Sequence, residues 1–186
     1  NIFLMETDEI QDFKVLLNSE SIYEKNLTIE ELDEIKHLAY FHTMPLERVM
    51  QMKPWLLAVI FNSPRPITPF NQDNLLKTQA TDSLLITKGL ESVSEHFSVL
   101  DTFSTQQQIG MLKKVLGRKE SDKEKDYESL VGAYLLNNPA KILQVDEKIT
   151  KKIVSDSMWK DMQKKLLINR NTCLLYTSDA ADDTPC

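Results

Sequence analysis

The chain has 186 residues, a length that suits one domain. It carries 22 Lys+Arg against 28 Asp+Glu, a formal net charge of −6, which excludes a nucleic-acid binder working by bulk positive charge. Two cysteines are too few for a disulfide scaffold, no apolar run reaches membrane-spanning length, and four glycines disfavour a turn-rich all-β fold.

In chain order, Ile2 to Met5 is a continuous apolar run followed by Glu6-Thr7-Asp8. A buried strand ending in acids is the simplest reading, and a helix start is the alternative. Ile10, Phe13, Leu16 and Leu17 fall on one helical face. Thr28-Ile-Glu-Glu31 has the form of a capping box, opening a helix with Ile29, Leu32, Ile35, Leu38 and Ala39 on one side. Pro45 suits the first position of the next helix, which Pro54 should end or kink near Lys53. Trp55 to Phe61 is the most apolar stretch and reads as buried.

Pro64, Pro66 and Pro69 make a loop. Asn71 to Thr81 suits a helix, and Leu84-Leu-Ile-Thr87 is a second short strand, punctuated by Gly89. Leu90, Val93, Phe97 and Leu100 mark another helix. Ser104 or Thr105, with Gln107 and Gln108, caps a helix through Leu116. Gly117 to Lys125 reads as a charged loop, and Asp126 to Leu136 as a helix. Asn138-Pro139 starts a short helix with Asn as cap and Pro next. Asp156 to Ile168 is the last helix, with Met158, Trp159, Met162, Leu166 and Leu167 inward. Two strands among so many helices indicate a helix-rich α/β or α+β chain. The strands lie far apart in sequence, so they are candidate parallel partners in an incomplete sheet flanked by helices.

Both ends differ from the middle. Cys173 to Asp183 has no helical period and no basic residue, and Cys173 to Asp182 resembles the translation of a sequencing-library transposon end. Residues 173–186 are therefore set apart as a non-native, disordered tail. Without them the count is 22 basic against 25 acidic residues, a net of −3, with no cysteine. Residues 1–172 read as an internal part of a longer domain, entered in mid-strand at Asn1-Ile-Phe-Leu-Met5.

No P-loop, Cys-x-x-Cys, His-Glu-x-x-His, Gly-x-Ser-x-Gly or Gly-x-Gly-x-x-Gly occurs. His37 and His42 stand five apart, which is not the spacing that aims two histidines at one metal, and His96 stands alone. Surface or packing roles suit all three. Glu6 and Asp8 end the first strand, where carboxylates of α/β folds often serve ligands or metals. A solvated strand end is the simpler alternative. Glu91 stands at the turn from the second strand into a helix, where an acid also complements the helix dipole. Arg170 closes the last amphipathic helix, and the dipole alone accounts for a cation there.

Met52-Lys-Pro-Trp-Leu-Leu-Ala58, Gly89-Leu-Glu-Ser92 with the helix Glu95 to Phe103, Gln107 to Leu112, Tyr134-Leu-Leu, and Leu166-Leu-Ile-Asn-Arg-Asn171 occur in this order. Together they resemble the TraB/GumN family, over about residues 2–172. No single motif is specific; their order and spacing carry the resemblance. It departs from the family in lacking both Gly-x-x-His motifs and in having Ser92 where Thr is usual, and His96 or its neighbour replaces a common Gln.

The resemblance implies a sheet flanked by helices, as in erythromycin-esterase-like and haem-uptake-like folds. It also implies a metal-dependent hydrolase acting on peptides, as in the animal TIKI proteases, or a non-catalytic member that binds a peptide or signal. By matching position, Glu6, Glu91 and Arg170 would be the polar catalytic residues. A divalent metal would need histidines that these residues lack, so none is expected to be bound here, and the 186 residues alone are expected to be inactive. A peptide or protein is the implied substrate, with no nucleic acid. The compartment is not readable from the sequence; the resemblance is compatible with a periplasmic or secreted place. A helical interaction module outside the family would instead show no sheet and a continuous apolar groove.

Overall fold

The computed structural model describes residues 2–7, 13–18, 21–64 and 72–169. Ile10, Asp8, the proline loop from Arg65 to Pro69, Arg170 and the segment 173–186 lie outside them. The described chain is helix-rich, with one pair of strands. Contacts divide it into two compact units. The first comprises Asn1–Phe13, Ile67–Thr102 and Lys160–Cys186; the second comprises Lys14–Pro66 and Phe103–Trp159.

The first unit opens with strand β1 (Ile2–Thr7). Of the helical face expected from Ile10 to Leu17, Ile10 lies outside the described residues, and Phe13–Leu16 form a 3-10 turn. Its neighbours are fastened to the Met52 region instead: Lys53 N–H donates to the Leu16 carbonyl at 3.0 Å, and Asn18 Nδ2 to that of Met52 at 2.9 Å. Helix α1 (Tyr23–Asn26) buries Tyr23, whose hydroxyl donates to the same Met52 carbonyl.

Helix α2 (Ile29–Phe41) has the capping box that its sequence announces. Thr28 Oγ1 accepts from Glu31 N–H at 3.2 Å, and Thr28 N–H donates to the Glu31 carboxylate at 2.8 Å. Ile35, Leu38 and Ala39 are buried, but Ile29, expected on the same side, is exposed. In the first turn, capping fixes the residue's position and packing does not reach it.

Pro45 caps the short helix α3 (Leu46–Val49) from one residue before the expected place. Pro54 does not end a helix; it opens α4 (Pro54–Asn62) at the first turn, where its missing N–H costs nothing. Trp55, Leu57, Ala58 and Phe61 of α4 are fully buried.

The chain then re-enters the first unit. Helix α5 (Gln72–Asp82) is followed by strand β2 (Ile86–Glu91). The strand sits two residues later than the sequence suggests, running through Gly89 to Glu91. Leu84 is excluded because it adopts φ +56°, a left-handed backbone that turns the chain into the strand, and it is 92% exposed. Helix α6 (Val93–Asp101) follows.

Helix α7 (Thr105–Leu116) returns to the second unit with a second capping box, on Ser104 and Gln107. It packs against α4 and buries Ile109, Met111, Leu112, Val115 and Leu116. Residues 117–125, expected as a charged loop, instead give only a short link into helix α8 (Glu120–Leu135). Glu120 and Asp122 suit the positive helix start, and the stem of Lys123 is buried while its ammonium faces Glu120 at 3.3 Å.

Helix α9 (Pro139–Thr150) packs back on α8. Asn138 caps it by accepting from Lys141 N–H at 3.1 Å, with Pro139 at the first position as expected. Helix α10 (Asp156–Met162) buries Met158 and Trp159 and passes into a π-helical run, Gln163–Asn169.

Candidate functional site

β1 and β2 pair in parallel, with Ile2 opposite Ile86, Met5 opposite Gly89 and Thr7 opposite Glu91. Parallel neighbours end at the same edge, so Glu6, the penultimate residue of β1, and Glu91, the last of β2, both lie at the C-terminal edge of the pair, at positions that the pleat's alternation assigns to opposite faces. Glu91 is one residue out of level with Glu6. Adjacent strands are separated by about 4.8 Å, and one residue of offset adds about 3.3 Å along the strand. The chain leaves this edge through Ser92, whose carbonyl accepts the first helical bond of α6 from His96 N–H at 3.0 Å. A strand end feeding a helix start is the arrangement that α/β folds use to present polar groups to a ligand. Arg170 and Asp8, the other polar residues singled out, lie outside the described residues.

The histidines are dispersed. His37 faces Glu34 at 3.6 Å on an exposed helical surface. His42 ends α2 with its ring between Phe41 and Phe61, centroids 5.2 and 5.7 Å away. Both belong to the second unit. His96 is on α6 of the first, with its ring edge-on to Phe97 at 4.8 Å. Among the described residues no three His, Cys, Asp or Glu side chains are grouped as a metal site.

The second unit contains a polar cluster without a sequence signature. The Arg118 guanidinium donates to Asn62 and to Asp126, and Lys152 donates to the other oxygen of Asp126. Burial works against ionisation of Asp126, but the hydrogen bonds and charges of Lys152 and Arg118 outweigh it and hold the carboxyl below its usual range. Beside this cluster a cleft of about 700 Å³ opens, lined by Asp126, Ser129, Lys141, Gln144, Glu147 and Lys151 among others. Lys151 pairs there with Glu147 at 2.7 Å, and the Lys141 ammonium donates to the Gln144 amide oxygen at 2.9 Å. Arg118 comes from the link between α7 and α8 and Asp126 from the interior of α8, eight residues on, so no periodic pattern could have revealed them.

The TraB/PrgY/gumN family model matches residues 5–181. The chain belongs to this family. The match takes in both strand ends, the Lys53-Pro54-Trp55 helix start and the position of Arg170. It also runs past residue 172 into the segment set apart by its composition. No curated protein and no solved structure matches the chain. In this TraB/PrgY/gumN member, Glu6 and Glu91 stand on adjacent strands of one unit. No helix among the described residues is long and apolar enough to cross a membrane.

Proposed function

We propose that this TraB/PrgY/gumN chain carries part of a peptide-hydrolase site, with Glu6, Glu91 and Arg170 as its polar side chains. The observation that supports this reading most is the parallel pairing of β1 with β2, which gathers two glutamate-bearing strand ends at one edge. On the same reading, the pair belongs to a helix-flanked sheet of the erythromycin-esterase-like and haem-uptake-like kind.

A divalent metal is the family-level expectation. A catalytic site of the zinc type takes three protein donors, and two glutamates without a grouped third donor among the described residues do not complete one. No step is therefore routed through a metal. The chain's own groups have a defined chemistry. One carboxylate, Glu91 or Glu6, takes a proton from the water that attacks a peptide carbonyl. The Arg170 guanidinium holds the oxyanion that develops there, or a carboxylate of the substrate.

The test is digestion of a peptide library by the protein as encoded in its native gene, with and without added Zn²⁺, Mn²⁺ or Co²⁺, read by mass spectrometry. Hydrolysis is expected, and E6Q and E91Q are expected to lower its rate about 100-fold or more at unchanged circular dichroism. Hydrolysis untouched by both substitutions would overturn the site assignment. Retention of peptides without cleavage would replace the hydrolase by a binding member of the family.

A further inference from the structure

We infer that the cleft between α8 and α9 is a binding site for a small organic phosphate, a phosphoryl dianion carried on an apolar body. The cleft has a volume of about 700 Å³, in the range of sites that take a whole small molecule. Every residue of it belongs to the second unit, so the site does not depend on the hydrolase reading of the strand ends. Its α9 wall includes Lys141, Gln144, Val145 and Lys148, spaced as one helical face, and its α8 wall is Asp126 and Ser129.

The packing of α9 leaves this volume open. The helix buries no residue completely, and Val145 and Ile149 on the cleft wall are only half-buried. An amphipathic helix ordinarily covers such a stripe with protein. A ligand's apolar body resting on the pair takes the rest of their surface out of water.

Charge selects the ligand. Five cations, Arg118, Lys141, Lys148, Lys151 and Lys152, line the cleft or bind its Asp126. Three carboxylates answer them: Asp126 takes Arg118 and Lys152, and Lys151 takes Glu147 at 2.7 Å and Asp156 at 3.8 Å. The excess is two positive charges, on a chain whose net charge is −6. It rests on Lys148, which has no ion-pair or hydrogen-bond partner among the described residues, and on Lys141, whose ammonium donates to the neutral Gln144 amide and keeps its charge. The two stand seven residues apart, about 10 Å along the helix, close enough for both flexible stems to reach one phosphoryl group over Gln144 and Val145. Lysines on a flat helix face are solvated charges, but on the wall of a concave site they focus the field into it. A phosphomonoester dianion matches an excess of two, and a monocarboxylate does not.

The test is calorimetric titration of the whole protein with 1-naphthyl phosphate, 1-naphthoate, 1-naphthol and inorganic phosphate. The naphthyl phosphate is expected to bind once per chain, at least ten-fold more tightly than each of the other three, and to weaken as salt is raised. K148E should reduce its affinity at least ten-fold with an unchanged urea midpoint, because Lys148 is exposed and unpaired. K36E, which alters an exposed lysine of α2, should leave the affinity unchanged. Vesicles of phosphatidylcholine with phosphatidic acid should not carry the protein on flotation, since a membrane presents its phosphates on a surface and not inside a cleft. No binding, binding indifferent to K148E, or equal loss in K148E and K36E would overturn the site. Naphthoate or inorganic phosphate binding as tightly as naphthyl phosphate would overturn the ligand class, and flotation abolished by K148E would assign the lysines to a lipid headgroup instead.

Discussion

Asp126 accepts from Arg118 and Lys152 at once, and its carboxyl ionises more readily than in an unfolded chain. A carboxyl held low in the folded state contributes stability above the unfolded value, near 3.9, and loses that contribution as pH falls through the folded value. D126N leaves a mostly buried guanidinium short of its counter-charge. It should cost about 3 kcal/mol near neutral pH, a gap that closes as the pH drops below about 4; urea midpoints of the two proteins from pH 7 to pH 3 check this. None of it was readable from the sequence, because the partners come from three separate segments. Lys123 was misread for a related reason. A run of charges looks like a solvated loop until its methylene stem is seen packed and its ammonium paired with Glu120. By contrast, Trp55, Leu57 and Phe61 were legible as core because apolar residues concentrated in one stretch have few places to go.

At the level of elements, helix starts were the most legible feature, since their chemistry is local. Thr28 with Glu31, Ser104 with Gln107, and Asn138 with Pro139 each satisfy orphan N–H groups within a few residues of themselves. Glu31 also pairs with Lys113 at 2.9 Å, which ties the start of α2 to α7. T28A should therefore lower stability by about 1 kcal/mol, and E31A by a comparable amount, since it keeps the backbone bond to Thr28 Oγ1 but loses the carboxylate's bond to Thr28 N–H and the ion pair with Lys113; thermal denaturation of the two variants checks this. Strand limits were less legible. Gly89 was read as punctuation, yet it pairs with Met5 inside the ladder, and the break lies at Leu84. A leucine in the left-handed region is imposed by what precedes and follows it, Leu85 N–H bonding back to the Ala80 carbonyl, and no propensity of leucine foretells that. For the candidate site, the acids at the two strand ends were legible as types, and parallel pairing as a possibility. The register that puts Glu91 level with Thr7 was not, because it depends on partners 84 residues apart.

In the molecule as a whole, the buried apolar side chains among the described residues lie chiefly in the second unit, where α4 packs on α7. Two paired strands alone make few ladder bonds and shield little backbone. Hydrogen exchange should accordingly be slowest at the amides of Leu57 to Phe61 and Leu112 to Leu116, and at least ten-fold faster at β1 and β2; exchange followed by mass spectrometry distinguishes the two. The division into units also has a consequence for how the chain assembles. The segment Lys14–Pro66 of the second unit lies between β1 and β2 of the first, and Ile67–Thr102 of the first lies between the two parts of the second. Neither unit can be completed from one continuous piece of chain. Closing the β1–β2 pair directly spans a long loop, whereas helices α1 to α4 shorten that loop as they form. Because β1 pairs with a strand whose last residue is 84 positions beyond Thr7, a nascent chain cannot present the glutamate-bearing edge until residues beyond Glu91 have emerged.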